Sequence, residues 1–157
     1  MRSGKRIGID VGKERIGVAL SDTDGILASP IATVPHNHAD IRIITKHIKN
    51  NNALEVIIGR PTNMDGSQGE MVHYVTSWAQ KLARRIAPVP IRLFDERLSS
   101  AQAHKVLDVN GRKKCDHTSV VDQVAAVLIL QSALEYESTT GLPPGTPLNE
   151  TIVSEND

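Results

Sequence analysis

Residues 6–20 read RIGIDVGKERIGVAL, two apolar runs on either side of a polar connection. Both runs are rich in β-branched residues, and the intervening GKER has the composition of a turn, so the stretch predicts a β-hairpin. Turn-forming residues follow at 21–25, and Pro30 interrupts a third apolar run at 26–34, which suits an edge strand or a kink. We therefore expect the chain to begin with an antiparallel meander of three strands.

Beyond the meander, the sequence alternates between helix and strand patterns. Several segments carry apolar residues at helical spacing, and short apolar runs between them predict buried parallel strands. The expected helices cover 40–50, 72–86, 99–107 and 119–137, and the expected strands cover 56–58 and 91–94. The order β-β-β-α-β-α-β-α-α predicts an α/β fold with one mixed β-sheet, an antiparallel meander plus parallel strands, and helices on both faces. This is the ribonuclease H-like arrangement.

The 157 residues fit one domain, which we expect to span residues 1–138. Residues 139–157 contain prolines and glycines without a helical period, and they predict a flexible tail. No run approaches the roughly 20 apolar residues of a membrane span, and the N-terminus lacks a signal-peptide pattern, so we expect a cytoplasmic protein without a membrane partner. Cys115 is the only cysteine, which excludes an internal disulfide and a thiolate zinc site.

Total charge does not identify a partner, because 18 basic and 18 acidic residues leave no net charge. Aromatic residues make up 3% of the chain, which leaves little material for stacking single-stranded bases. A nucleic-acid ligand would therefore depend on local basic clusters, although each cluster taken alone also fits solvated surface. The candidates are Lys13, Arg15, Arg60, Arg84 with Arg85, Arg97 and the run at 112–114.

Asp10 is a charged residue in the middle of an apolar strand. Strand alternation places it on the face of Gly8 and Gly12, opposite the aliphatic residues of the same run. A carboxylate there is unfavourable unless it is paired or binds a metal ion, and the flanking glycines leave room for a ligand. The alternative role is a cap on the turn that follows.

Two later elements supply further acids. Asp95 and Glu96 end a parallel strand, where open α/β sheets place their sites, but they alternate in face, so only one can point towards Asp10. Asp122 opens the last helix, and its apolar neighbours at i+4 and i+7 place its stripe towards the core. The alternatives are a surface cluster neutralised by Arg97 and a helix-capping role for Asp122.

Carboxylates from the first strand, a later strand end and the final helix would form a divalent-metal site if they converge. Oxygen ligands suit Mg²⁺ or Mn²⁺, and two such ions can activate water and stabilise the leaving oxygen of a phosphodiester. The residues themselves leave open whether Asp95 or Glu96 contributes. Their chemistry points to hydrolysis with Mg²⁺ or Mn²⁺ as cofactor.

Four blocks of sequence occur in one order: GIDVG with RIGVALSD at 8–12 and 15–22, GRP with NMDG at 59–61 and 63–66, DERLSS at 95–100, and DQVAA at 122–126. Over most of the chain they resemble the YqgF (RuvX) family, which implies a ribonuclease H-like nuclease of pre-16S ribosomal RNA or of Holliday junctions. The resemblance implies catalytic, metal-binding acids at Asp10, Glu96 and Asp122, and it makes Arg97 and Arg60 candidate phosphate contacts.

Two parts of the chain depart from the family pattern. The family commonly has a leucine at the position of Arg60, so a nucleic-acid-binding role for Arg60 rests on its charge alone. The segment after Glu137 lies outside the resemblance, and no family property is carried over to it.

Three functions compete at this stage. The first is a metal-dependent endonuclease acting on the ribosomal RNA precursor, with branched DNA as the alternative substrate. The second is a non-catalytic nucleic-acid-binding factor in ribosome assembly or transcription, and the intact acids favour the enzyme. The third is an ATP-binding phosphotransferase, because GIDVG also resembles a phosphate loop, but 157 residues are too few for the two domains that it needs. The oligomeric state is left open.

Overall fold

The computed structural model describes residues 1–61, 69–98 and 118–148, and only the backbone at 118–122. The strands are β1 (Arg6–Val11), β2 (Arg15–Ser21), β3 (Ala28–Pro35), β4 (Glu55–Arg60), β5 (Ile91–Asp95) and β6 (Thr146–Pro147). The helices are α1 (Asp40–Asn50), α2 (Glu70–Ile86) and α3 (Thr118–Thr140), and a 3₁₀ turn covers Glu96–Leu98. The helix expected at 99–107 lies outside the described residues.

The strands form one six-stranded sheet in the order β3-β2-β1-β4-β5-β6. β1, β2 and β3 pair antiparallel, as the meander requires, whereas β4 is parallel to β1 and β5 is parallel to β4. The predicted mixed sheet is therefore confirmed. Pro30 lies on the edge strand β3, where Val18 pairs with Ala32 and Ala19 pairs with Pro30, so Ile31 is an extra residue in a bulge.

Helices cover both faces of the sheet. One buried cluster, which includes Ile7 and Ile9, packs against α1 and α2. The other, which includes Ile57 and Phe94, packs against α3. Because side chains alternate along β1, the two isoleucines that point towards α1 and α2 leave Asp10 on the face that α3 covers.

α3 runs antiparallel to β1. Near the end of α3, Glu137 accepts a 3.3 Å contact from Arg6 at the start of β1. Three turns earlier, α3 approaches Gly8 so closely that a Cβ there would lie 2.6 Å from Cβ of Leu130 and 3.1 Å from the carbonyl oxygen of Ala126. The first turn of α3 therefore lies towards the carboxyl end of β1, the edge of the sheet that we call the carboxyl edge.

At the opposite edge, four charged residues form what we call the amino-edge cluster. Arg2 donates to Glu55 at 2.9 Å and to Glu137 at 2.8 Å, and Arg6, only 1% exposed, also contacts Glu137. The Arg2 guanidinium lowers the pKa of the Glu137 carboxyl to about 2, against the opposing effect of burial. The cluster joins the N-terminal residues, β4 and the end of α3.

The structure differs from the expected tail over residues 139–148. α3 continues to Thr140, and β6 then pairs antiparallel with β5. Arg92 of β5 donates to two carbonyl oxygens just before β6, at 2.5 and 3.0 Å, and Leu148 is 2% exposed in the core. A two-residue strand has no sequence period, so its pairing with β5 could not be detected beforehand. Residues 149–157 lie outside the described part of the chain.

Within the described ranges, no helix combines the length and the apolar character that crossing a membrane would require.

Candidate active site

Asp10 lies near the carboxyl edge, partly buried on the face that α3 covers. It pairs with Gly17 of β2, and the parallel register of β1 with β4 continues to place Gly59 beside it on the other side. Thr33 of β3 pairs with Gly17 in turn. We call these four positions the Asp10 row. Asp10 thus has a glycine on each neighbouring strand, so neither adjacent position places a side chain of its own beside the carboxylate.

Glu96 reaches the same face from the 3₁₀ turn that follows β5. A Cβ built on Gly59 would lie 3.4 Å from Cγ of Glu96 and 2.5 Å from Cδ1 of Ile129. The Glu96 side chain therefore lies over Gly59, next to α3. Gly59 is one strand away from Asp10, so the Glu96 side chain lies beside the strand that neighbours Asp10.

Asp95 lies on the opposite face, because it alternates with Phe94, which packs against α3. Its carboxylate accepts hydrogen bonds from the backbone N–H of Arg97 at 2.9 Å and from the Arg97 guanidinium at 2.8 and 3.1 Å. These contacts raise the pKa of Arg97 and fix the turn that carries Glu96. The sequence left the choice between the two acids open, and this placement favours Glu96.

Asp122 is described at the level of the backbone. Its helical position falls on the stripe of Ala126 and Ile129, both fully buried against the sheet. Position 122 is one helical turn, about 6 Å, before Ala126, and Asp10 is two strand residues, about 7 Å, beyond Gly8. Because Leu130 and Ala126 both lie at Gly8 and α3 is antiparallel to β1, position 122 lies further towards the carboxyl edge, on the side of Gly8 where Asp10 stands.

The donors on this face fit a hard divalent cation. Asp10 and Glu96 offer carboxylate oxygens, the ligands that Mg²⁺ and Mn²⁺ prefer, above positions that carry no side chain. Among the side chains that the structure describes, no three His, Cys, Asp or Glu residues gather as a metal site. A third acid would have to come from Asp122, whose side chain is outside that set.

Gln123, which the sequence analysis did not single out, anchors the beginning of α3 to the sheet. Its Nε2 donates to Oγ1 of Thr33 at 2.7 Å, and Thr33 belongs to the Asp10 row. The residue stands inside the DQVAA block, but its partner is 90 residues away in sequence. Only the fold brings the two together, so no local signal could have identified this contact.

Two of the predicted basic residues lie on the hairpin next to Asp10. Arg15 is two residues before Gly17, so it shares the face of Asp10, and its side chain is 35% exposed. Its guanidinium lies 3.6 Å from the carboxylate of Glu14, a long ion pair. Lys13 is exposed at the connection between β1 and β2.

The other predicted basic residues are placed differently. Arg60 pairs with Asp95 at the end of β4, and by alternation both lie on the face opposite Asp10. Arg97, 44% exposed, is held by Asp95. The run at 112–114 lies outside the described residues. The sheet register therefore places Arg15, but not Arg60, on the face that carries Asp10.

Comparison with known proteins adds a sequence family and a structural neighbour. The model of the RuvX family, described as Holliday junction resolvase, matches residues 4–136. A protein of Streptomyces avermitilis named "Putative pre-16S rRNA nuclease" is 46% identical over 147 residues, which covers 92% of this chain and 94% of that protein. A protein of Nocardioides sp. with the same name is 44% identical over 156 residues, 96% of this chain and 100% of the relative.

Among solved structures, Thermus thermophilus RuvC in complex with a Holliday junction substrate matches with a TM-score of 0.59 and 14% identity. The match covers 92% of this chain and 99% of that chain. At this identity the likeness concerns the fold, and it confirms the predicted ribonuclease H-like class.

Proposed function

This chain belongs to the RuvX family and is a nuclease, and from that premise we propose that it is a metal-dependent endonuclease that processes the pre-16S ribosomal RNA end in the cytoplasm. The observation that carries the proposal is the placement of Asp10 and Glu96 on one face of the sheet, with Gly59 between them. Asp122, on the part of α3 that lies towards the carboxyl edge, would be the third acid of the proposed site.

The three acids have distinct supports. Asp10 stands in a paired strand, and Glu96 stands on a turn that Asp95 and Arg97 hold in place. Together with Asp122 they would hold Mg²⁺ or Mn²⁺, which supplies an activated water and offsets charge on the leaving oxygen. Gly59 lets Glu96 lie close to the strand beside Asp10, because a side chain at position 59 would meet both Ile129 and Glu96.

Basic residues at the carboxyl edge would bind the flanking phosphates. We assign the phosphates nearest the acids to Lys13 and Arg15, because the hairpin that carries them follows Asp10 directly. Arg97 and Arg60 are at the ends of β5 and β4. Their contacts would therefore be with phosphates that lie further along the nucleic-acid strand. Phosphate contacts of this kind position a nucleic acid without reading its bases, which agrees with the low aromatic content.

Two observations bear on the substrate. Relatives that are 44–46% identical over nearly the whole chain carry the pre-16S rRNA name, which supports RNA. The description of the family model favours a second candidate, a branched DNA junction. Because residue types and spacing are compatible with either, the two candidates have to be compared directly.

The test is cleavage of pre-16S rRNA and of a four-way DNA junction by the same preparation, with Mg²⁺, Mn²⁺ or EDTA. We expect the RNA to be cut, the junction to stay intact, and EDTA to stop the reaction. Asp10→Asn is the control: it should lose cleavage by about a hundredfold or more. RNA binding should persist or tighten, because one negative charge is removed near the phosphates.

Each other outcome assigns a different function. Cleavage of the junction alone would make the protein a DNA resolvase. Equal cleavage of RNA by wild type and Asp10→Asn would indicate a contaminating nuclease, and the protein would then be a non-catalytic binding factor.

A further inference from the structure

Two glutamines attach α3 to the edge strand β3. Near the carboxyl edge, Nε2 of Gln123 donates to Oγ1 of Thr33 at 2.7 Å. Towards the amino edge, Oε1 of Gln131 accepts from the backbone N–H of Ala28 at 2.9 Å, and its Nε2 donates to the carbonyl oxygen of Ile26 at 2.9 Å. The same residue type thus makes a contact at each end of one helix–strand interface.

The buried cluster that α3 forms with the sheet is apolar and includes small side chains, among them Ala125, Ala126 and Ala133. Apolar contacts of this kind are non-directional, so they bury the helix without fixing its rotation or its axial position. Hydrogen bonds depend steeply on distance and angle, and two of them about 12 Å apart along the helix fix both. The two glutamines therefore set how α3 sits over β3.

The two contacts differ in what lies next to them. Gln123 follows Asp122 directly and contacts the Asp10 row, whereas Gln131 is two turns further from the acids. α3 begins at Thr118, so Asp122 and Gln123 stand in its second turn, directly after the first turn, whose N–H groups lack intrahelical partners. A side-chain contact at Gln123 therefore stabilises the part of α3 that carries Asp122.

We propose that Gln123 is a positioning residue, which through its hydrogen bond to Thr33 holds Asp122 in place in the divalent-metal site. The inference rests on the proposed function, because it assumes that Asp122 completes that site. Gln131 makes the equivalent contact where no acid of the site is nearby. Gln131 therefore stabilises the fold and does not position an acid of the site.

The test compares Gln123→Met with Gln131→Met in the full-length chain. Methionine keeps the unbranched side chain and the helix propensity of glutamine, but it has no N–H to donate. We expect Gln123→Met, which loses one hydrogen bond, to lower Tm by about 2–4 °C, and Gln131→Met, which loses two, to lower it by at least as much. Gln123→Met should weaken the binding of Mn²⁺, measured by calorimetry, by about tenfold or more, whereas Gln131→Met should change it by less than about twofold.

Substitutions at the partner residue test the contact from the other side. Thr33→Ser keeps the hydroxyl and should bind Mn²⁺ as the wild type does. Thr33→Val removes the acceptor and should reproduce the loss seen with Gln123→Met, and the double variant should lose no more than either single variant. If Gln123→Met does not fold, the comparison of Thr33→Val with Thr33→Ser decides the matter.

Asp10→Asn separates failure of the inference from failure of the proposed function. If Asp10→Asn weakens Mn²⁺ binding but Gln123→Met and Thr33→Val do not, the metal site stands and the positioning role is wrong. The same conclusion follows if Gln123→Met and Gln131→Met weaken binding equally. If Asp10→Asn itself binds Mn²⁺ normally, the proposed metal site fails and the positioning role fails with it.

Discussion

At the scale of single residues, the feature to explain is that carboxylates occupy a face of the sheet that is otherwise apolar. Asp10 lies on the face of the sheet that carries Ile57 and Phe94 and that α3 covers, where a charge without compensation would be strongly unfavourable. The adjacent positions on both neighbouring strands are glycines, and Glu96 lies close to one of them, Gly59. A charged residue at such a strand position reduces the stability of the fold. Such a cost is expected at positions where a residue serves function.

Glu96 and Asp95 are adjacent acids on opposite faces, so they make a matched pair of substitutions. We expect Glu96→Gln to lower cleavage by about a hundredfold, because it removes a charge from the proposed metal site. Asp95→Asn should cost much less, because it removes no charge from the face of Asp10 and its amide oxygen can still accept from the backbone N–H of Arg97. Cleavage rates and RNA affinity are measured on both variants.

The combination of Glu96→Gln with Asp10→Asn should be little worse than either alone, because groups that serve one site are not additive. If Asp95→Asn were as damaging as Glu96→Gln, or if the double loss were the product of the single ones, the assignment of Glu96 would be wrong.

Strand alternation predicted the face of Asp10 from the sequence, because aliphatic residues alternate with it and only one face of β1 could be the apolar one. The same rule could not choose between Asp95 and Glu96. Which of the two acids points towards Asp10 is decided only when it is known which helices cover which side of the sheet. Gly17 and Gly59 escaped notice for a related reason, since their proximity to Asp10 depends on strand register.

At the scale of elements, α3 approaches β4 as closely as the absence of a side chain at Gly59 allows. The Gly59→Ala methyl group would lie 2.5 Å from Cδ1 of Ile129. We expect this variant to lose about 1–3 kcal/mol of stability and to displace Glu96, which lies at 3.4 Å from the same point. Urea unfolding and cleavage assays measure the two effects.

Ile129→Val provides the control, because it removes Cδ1, the atom that clashes. Alone it should cost about 1 kcal/mol. Combined with Gly59→Ala, it should restore part of the lost stability, so that the double variant is more stable than the sum of the single effects predicts. Strict additivity would show that α3 does not rest on Gly59 as the structure describes.

Most elements could be predicted because their signals are local. The hairpin has a turn between β-branched runs, and the bounds of α1, residues 40–50, follow from its apolar spacing and the asparagines at its end. β6 could not be predicted, because Thr146 and Pro147 become a strand only by pairing with β5. The contact of Gln123 with Thr33 is likewise a product of tertiary structure.

At the scale of the whole molecule, the two edges of the sheet differ in chemistry. The amino-edge cluster combines Arg2 and Arg6 with Glu55 and Glu137, so its carboxylates are neutralised within the fold. The described acids of the carboxyl edge lie among basic residues on neighbouring loops and turns. The amino edge is therefore expected to govern stability, and the carboxyl edge to govern activity.

The dependence of the free energy of unfolding on acidic pH should reveal the contribution of the amino-edge cluster. The pKa of Glu137 is lowered from 4.5 to about 2, first by its hydrogen bonds with Arg2. The unfolded chain therefore takes up a proton at higher pH than the folded one, so this contribution is complete above about pH 4.5 and is lost as the pH falls towards about 2. Glu137→Gln should cost about 3 kcal/mol at neutral pH, because it removes the charged partner of the buried Arg6 and one of the two carboxylates that Arg2 contacts.

The difference in unfolding free energy between Glu137→Gln and wild type should shrink as urea titrations move from about pH 7 to about pH 3. Glu135→Gln, on the exposed side of the same helix, is the matched control and should leave stability unchanged within about 0.5 kcal/mol. A difference that stays constant over this pH range would refute the ionic role of Glu137.

RNA affinity should depend on salt even though the chain has no net charge. Arg15→Ala should weaken binding and reduce the slope of log affinity against log salt by about one, because it removes one phosphate contact. Arg85→Ala is the control, since Arg85 is exposed near the end of α2, at the other edge of the sheet. Fluorescence anisotropy over a salt series measures both, and equal slopes for the two variants would contradict the assignment of Arg15.

The central claim is that Asp10, Glu96 and Asp122 form one divalent-metal site at the carboxyl edge. Anomalous diffraction from crystals of the protein soaked in Mn²⁺ tests it most directly. The account predicts a manganese peak within about 2.0–2.6 Å of carboxylate oxygens from all three residues, and loss of that peak in crystals of Asp10→Asn. A peak elsewhere on the molecule, or an Asp122 carboxylate directed to solvent on the far side of α3, would contradict it.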